Sequence, residues 1–412
     1  MTTRAGWLNR PLVRLLAWAL YDLANTFFAV AILSFYFPLW LIEDRGAKEL
    51  VFSAAMSASM ILVAVLMPIC GAISDATNQR MRYLLWTTGI CIAATFALGL
   101  VHSVAPAIAL FIVGNVCYQL GTVFYDALLS HVSQADDVGG ASGFGAAFGY
   151  LGSMAGLVFL WPFVKSGGHQ ATFIPAALYF LLFALPIFLV IREPQGKGTA
   201  VTGAAVRNAF ARLKHTLSHN NAAPLKRFLV ASFFSSSAIN TVLVFMVIYT
   251  KKALHFRDDE VTRFFLLGQA FSIVGSIAFG RIVRWFGAKR TLAAIWWGWV
   301  ASLAALAATT DPRAVWVIGP AVGFCLGSTW ATSRVLILEL SPPDQLAEWL
   351  GLAGLLGRFS SVLGPLLWGV IVLDPSRYRQ AVLALIALLL IGLWCFRSVP
   401  DPARASPSGS SA

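Results

Sequence analysis

Residues 17–41 read AWALYDLANTFFAVAILSFYFPLWL. The run is apolar and long enough to cross a bilayer, because roughly 20 residues at a 1.5 Å rise span the hydrocarbon core. Yet Asp22 and Asn25 stand one helical turn apart in its first third. An aspartate at that depth costs about 2.5–3.5 kcal/mol on insertion scales. Something elsewhere in the chain must offset that cost.

The composition extends this reading to the whole chain. Of 412 residues, 58% are hydrophobic and 12% charged, against about 25% charged in soluble domains. Mean hydropathy is +0.76. The apolar runs are continuous, whereas a membrane β-barrel shows alternating segments of about ten residues. The expected fold class is therefore an all-α integral membrane protein. Cys70, Cys91, Cys117, Cys325 and Cys395 all fall within apolar runs without a C-x-x-C pair. They read as packing residues, not as disulfides or metal ligands. Arg4, Arg10 and Arg14 precede a run longer than a signal core, so helix 1 is expected to act as its own insertion signal.

Twelve spans are expected, near 15–41, 52–72, 83–101, 106–130, 143–163, 171–191, 226–250, 261–280, 291–309, 314–338, 349–371 and 380–397. With both termini inside, the inner segments hold 18 Lys and Arg and the outer segments 10, while Arg334 and Arg358 lie within spans. That asymmetry fits the positive-inside rule and accounts for the net charge of +12 without nucleic acid. Residues 1–191 form one six-helix half and 226–397 the other. Residues 192–225 read as a cytoplasmic linker with a short amphipathic helix near 204–217, and 398–412 as a disordered cytoplasmic tail.

The halves resemble each other. Gly71-Ala-Ile-Ser-Asp75 closes helix 2 and leads to Arg80 and Arg82; Gly280-Arg-Ile-Val-Arg284 closes helix 8 and leads to Lys289 and Arg290. Two six-helix repeats about an axis along the membrane normal are the architecture of major facilitator transporters, with the solute site between them at the midplane.

Polar residues recur on the helices that line such a site. Tyr21, Asp22, Asn25 and Phe28/Ala29 share a face of helix 1. Two readings stand: a solute or proton site, or a polar pair bonded to a neighbouring helix. The default for an intramembrane ionisable group is the first. Helix 4 carries Asn115, Gln119, Thr122 and Asp126 as one stripe, which reads as a cavity wall. Helix 7 supplies Ser236, Ser237, Asn240 and Thr241, and helix 10 supplies Thr329, Ser333 and Arg334. Asp126 and Arg334 occupy equivalent depths and are expected to form a cytoplasmic gate pair, unless each pairs within its own half. Arg358 lies mid-span in helix 11, too deep to reach water by snorkelling alone. It suits an anionic group or a buried acid. Small residues form faces on helix 5 (Gly145, Gly149, Gly152, Gly156), helix 8 (Gly268, Ser272, Gly275, Ser276) and helix 11 (Gly351, Gly354, Gly357), where close helix contact is expected. No nucleophile elbow, P-loop, H-E-x-x-H or Cys/His metal spacing occurs in the sequence. No enzyme activity, cofactor or metal is expected.

Three stretches resemble the vacuole-effluxer-like branch of the major facilitator superfamily, related to a vacuolar amino-acid exporter. They are WALYDLANTFFA (18–29), VFYDALLSHV (123–132) with GASGFGAAFGYLGS (140–153), and SRVLILELSPPDQLAEWLGLAGLLGRFSSVLGP (333–365). This chain departs from the family pattern with Asp126 in place of Asn and Arg358 in place of Lys. The resemblance implies a secondary transporter for amino acids or similar polar solutes. It also implies that Asp75 meets the start of helix 11 when the inner mouth closes, where a helix dipole gives a carboxylate about 0.3–1 kcal/mol. Asp22, Asn25, Asn115, Gln119, Asn240 and Arg358 are the expected pathway, and Asp75, Asp126 and Arg334 the expected gate. The expected partners are a small solute, protons as candidate coupling ions, and the bilayer of a bacterial inner membrane, for a monomer. The alternatives are a uniporter or exporter of another solute, or a non-transporting receptor.

Overall fold

The computed structural model describes residues 11–77, 79–128, 138–192, 223–309, 311–341 and 346–401. Among them twelve helices are long and apolar enough to cross a membrane, and no strand occurs. Helix α1 begins as Pro11–Phe28 and continues through π-helical turns at Ala29–Phe35 and Trp40–Asp44, on either side of Tyr36–Leu39. Then follow α2 (Glu49–Thr77), α3 (Arg80–Leu98), α4 (Val104–Ala127), α5 (Val138–Gly167) and α6 (Phe173–Val190). The second set is α7 (Ala223–Lys252), α8 (Asp258–Phe286), α9 (Ala288–Ala308), α10 (Pro312–Leu340), α11 (Leu346–Ile371) and α12 (Tyr378–Phe396). Every expected span overlaps one of these helices, most of which run several residues longer.

The π-helical turns of α1 have a local cause. Pro38 has no N–H for the carbonyl of Ser34, and its ring crowds that turn. The backbone relieves this at Phe35, whose φ of −128° and ψ of −76° leave the helical region.

The chain divides into two compact units, Met1–Ala211 with α1–α6 and Arg212–Ala412 with α7–α12. In the first, α1 packs on α5 through glycine. A methyl built at Gly152 would strike the backbone of Leu23, and one at Gly156 would lie 3.3 Å from the Phe27 carbonyl. The small face expected on α5 is thus a helix crossing, although Gly145 lies outside the described residues. At the far end of α1, Phe37 stacks on Phe111 at 4.6 Å. Beyond it, Asp44 bonds His169 at 3.0 Å, and Arg45 donates to Gln170 at 2.9 Å while lying over the Trp40 ring. Gln170 in turn donates to the Val101 carbonyl at 2.7 Å. The end of α1 is thereby tied to the α3–α4 and α5–α6 connections.

In the second unit, α8 and α10 touch backbone to backbone. Side chains at Gly275, Gly323 or Gly327 would meet the main chain of Phe324, Gly268 or Ser272. The start of α8 is capped by Glu260, which accepts from the Arg257 N–H at 2.8 Å. Asp259 takes Arg257 at 3.1 Å and Arg263 at 3.4 Å, and Asp258 takes Lys251 at 2.7 Å. Gly287, at φ +79°, makes the sharp turn into α9 that an L side chain resists.

Two expectations change. On α11, a methyl at Gly351 or Gly357 meets nothing within 4 Å, and the glycine that abuts a neighbour is Gly364, against Ser237 and Thr241 of α7. The tail expected from residue 398 is instead fixed as far as Asp401. Ser398 accepts from Arg227 at 3.0 Å, Val399 accepts from Lys289, and Asp401 pairs with Arg290 at 3.2 Å. Most of the expected linker, including its amphipathic helix at 204–217, and the tail beyond 401 lie outside the described residues.

Candidate functional site

The polar residues of α1 sit beside an aromatic bridge to α4. Trp18 stacks on Tyr125 at 4.7 Å, nearly parallel, and its Nε1–H reaches the Tyr125 carbonyl at 3.4 Å. Tyr21 stacks on the same ring at 5.0 Å. Its hydroxyl bonds Thr88 on α3 at 2.6 Å. Gly121 leaves room for this, since a methyl there would lie 3.5 Å from the Tyr21 hydroxyl and 3.3 Å from Thr87 Oγ1. Two turns further along α1, Phe28 meets Tyr118 at 5.1 Å. Two aromatic layers therefore join the helices, one at Tyr125 and one at Tyr118.

Asn25 falls between those layers, one turn after Tyr21 and one before Phe28. It is only 3% exposed. Neither its Oδ1 nor its Nδ2 has a hydrogen-bond partner among the described residues, and the hydroxyl of Tyr125 is also buried without one. Each such group costs about 1–3 kcal/mol. Proteins bury few of them, and an uncompensated one calls for a reason. The antiparallel register, Tyr21 to Tyr125 and Phe28 to Tyr118, sets Asn25 level with residues 119–122 of α4. Gln119 and Thr122, both half-buried, are the polar residues there. Asp22 is half-buried and turned toward α5, where a methyl at Gly149 would lie 2.9 Å from its Oδ2. Thr26 stands beside it and donates to the Asp22 carbonyl at 2.8 Å.

The α4 stripe divides by environment. Asn115 is fully buried and donates to Ser59 Oγ on α2 at 2.7 Å. Its amide serves the α2–α4 contact. Gln119 and Thr122 are half-buried, and Asp126, near the end of α4, is exposed.

The second unit has its own polar cluster. Asn240 on α7 donates to Ser361 at 2.9 Å, Ser360 at 3.1 Å and the Gly357 carbonyl at 3.4 Å, all on α11. Arg358, between those residues, is half-buried and donates to the Gly354 carbonyl at 3.1 Å. The amide of Asn240 fastens α7 to α11 on either side of Arg358 in sequence. Other polar residues of α7 and α10 are spent locally. Ser237 and Thr241 bond carbonyls of their own helix, and Thr329 accepts from Trp299 on α9 at 3.0 Å.

Of the gate residues, Asp75 lies on the last turn of α2 with its side chain outside the described part. Asp126 and Arg334 are both exposed and belong to different units. Each lies 22 positions beyond its helix's first residue, from Val104 to Asp126 and from Pro312 to Arg334. Trp18 emerges as a neighbour of the site that polarity did not single out, stacked on Tyr125 beside Tyr21 of the expected face. The signal was the i, i+3, i+7, i+10 spacing of Trp18, Tyr21, Asn25 and Phe28. Among the described residues, no group of three or more His, Cys, Asp or Glu is placed to hold a metal.

Twelve membrane helices in two six-helix units, each with polar side chains gathered inside, define a membrane transporter of the major facilitator type. Solved structures with this fold include the nucleoside transporter NupG, at TM-score 0.76 and 14% identity, covering 94% of this chain and 99% of that one. A D-xylose–proton symporter superposes at 0.73 with 15% identity, over 95% and 98%. More particularly, the chain belongs to the vacuole effluxer Atg22-like family, whose model matches residues 50–405. It is 25% identical to the uncharacterized MFS-type transporter YxiO of Bacillus subtilis, over 93% of this chain and 94% of that protein. It is 24% identical to autophagy-related protein 22 of Kluyveromyces lactis, over 87% and 80%.

Proposed function

We propose that this transporter moves a small polar solute of the amino-acid class by alternating access, and that Asp22 and Asn25 form part of its solute site. One observation carries the reading: an asparagine buried inside a transporter with both amide atoms unmatched, one turn from a carboxylate. The amide offers a donor and an acceptor, and Asp22 offers charge for an ammonium group or a proton. A zwitterionic solute answers all three. Gln119 on α4 and Arg358 on α11 complete the proposed pathway, Arg358 for the solute's carboxylate. Asn115 and Asn240 act in it as fasteners of the helices that bear it. The family's vacuole-effluxer description supports export of such a solute, and the D-xylose–proton symporter supports proton coupling as a mode available to the fold.

Asp75, Asp126 and Arg334 form the proposed inner gate. A bridge between Asp126 and Arg334 made in one conformation only would shift the transport equilibrium by its differential energy. The charge bias of the loops supports both termini facing the cytoplasm of a bacterial cell. The test is uptake into proteoliposomes of a mixture of labelled amino acids, with and without a pH step. Saturable flux of one of them, lost in Asn25→Leu, supports the reading. Saturable flux of another solute class alone would replace the amino acid. Proton dependence unchanged in both Asp22→Asn and Asp126→Asn would end the coupling proposal.

A further inference from the structure

The proposed pathway leaves unused a cavity of about 630 Å³ at the linker end of the second unit. It lies between the first turns of α7 and the last turn of α12. Its walls are Lys226, Arg227 and Val230 from α7, and Trp394, Cys395, Arg397 and Ser398 from the end of α12. Three of those seven residues are cationic and none is acidic. Arg227 is held in place by its bond to the Ser398 carbonyl at 3.0 Å. Asp401, an acid at this end of the unit, pairs with Arg290. The apolar walls face outward, with Val230 51% and Trp394 71% exposed.

We propose that this groove binds the headgroup of an anionic phospholipid. The arrangement is ordered along the membrane normal as such a lipid is. Cations stand at the helix ends, where a phosphate would lie. Trp394 stands at interfacial depth, where indole rings concentrate. Val230 lies one turn further in, where acyl chains run. Basic pockets between transmembrane helices are the recurrent form of headgroup sites. The first turn of α7 adds the positive end of its dipole to the same place. Charge also argues against filling by the chain itself. Residues 193–222 and 402–412, which flank the groove in sequence, contain a single acid, Glu193, against five Lys or Arg. An anionic lipid is the complementary occupant, and a zwitterionic one is not.

The experiment is native mass spectrometry of the full chain, titrated with phosphatidylglycerol or phosphatidylcholine. Lys226→Gln, Arg227→Gln and Arg397→Gln are compared singly and together. Wild type retains phosphatidylglycerol in preference, and each lost cation weakens retention roughly fivefold. Phosphatidylcholine retention stays level throughout. Inorganic phosphate does not compete, which separates a lipid site from a free-anion site. A second readout needs no variant: alkylation of Cys395, mapped by peptide mass, slows when phosphatidylglycerol is added and not when phosphatidylcholine is. Equal retention of the two lipids, retention unchanged in the triple variant, displacement by inorganic phosphate, or Cys395 alkylation indifferent to lipid charge would overturn the proposal.

Discussion

Substituting leucine for each of three asparagines separates the solute site from its framework. Leucine has nearly the shape of asparagine without its hydrogen bonds. At Asn25 the substitution removes two buried groups that have no partner among the described residues, each costing about 1–3 kcal/mol. Replacing them with apolar atoms in a buried place should stabilise the protein by at least about 1 kcal/mol. For a folding unit of about 150–250 residues that raises Tm by about 2–4 °C. At Asn115 the same change deletes a 2.7 Å bond to Ser59. Interhelical bonds in membranes average about 0.6 kcal/mol, and the change also removes one buried Oδ1 without a partner among the described residues, so Asn115→Leu should melt below Asn25→Leu. At Asn240 three contacts to α11 are lost, and Tm should fall below that of wild type. The assay is thermal unfolding of the three purified variants in one detergent, beside flux in proteoliposomes. Asn25→Leu should be more stable than wild type and inactive. If it melts below Asn115→Leu, the amide of Asn25 has a structural partner and the reasoning about the site fails.

Further outcomes follow from other parts of the chain. Gly323→Ala forces a methyl into the Gly268 backbone, so α8 and α10 must separate; overpacking of this kind costs about 1–3 kcal/mol. The check is its Tm beside that of Gly351→Ala, which meets nothing and should melt like wild type. Charge reversal at Asp126 or Arg334 alone should lower flux, and the double exchange should restore it; no rescue would remove the gate pair. Asp374, at the turn into α12, has its carboxyl held below the usual range by the hydroxyl and then the N–H of Ser376. Its contribution is present above the unfolded-state value and lost as pH falls through the lower folded value, so amides at 376–378 should lose protection, relative to their intrinsic exchange rates, in acid. Asp374→Asn should abolish that acid dependence.

Much of the fold was legible because the bilayer imposes it. A continuous apolar run of helical length has no other stable form in hydrocarbon, which is why all twelve spans appear in the sequence. Periodicity placed Asp22 and Asn25 on one face. It failed where the partner decides the role. Asn115 and Gln119 look alike along one helix, yet only the position of Ser59 on α2 shows that Asn115 is spent on packing. The glycines of α5, α8 and α11 have similar spacing, but a methyl added at 351 or 357 would meet nothing within 4 Å. The ring of Tyr125 became part of the site through Trp18 and Tyr21, more than a hundred residues away. The π-helical turns of α1 follow from Pro38, yet their extent depends on the packing around Phe35. The end of α12 reads as a polar tail until Arg227, Lys289 and Arg290 are seen to hold it.

The cost of Asp22 and Asn25 within an apolar helix is the centre of this account, and flux measures it most directly. Proteoliposomes carrying wild type and Asn25→Leu, at equal protein and with both variants folded, should be compared for saturable amino-acid uptake. The account predicts saturable uptake in wild type and none above background in the variant. Equal uptake in both, or none in wild type, would contradict it.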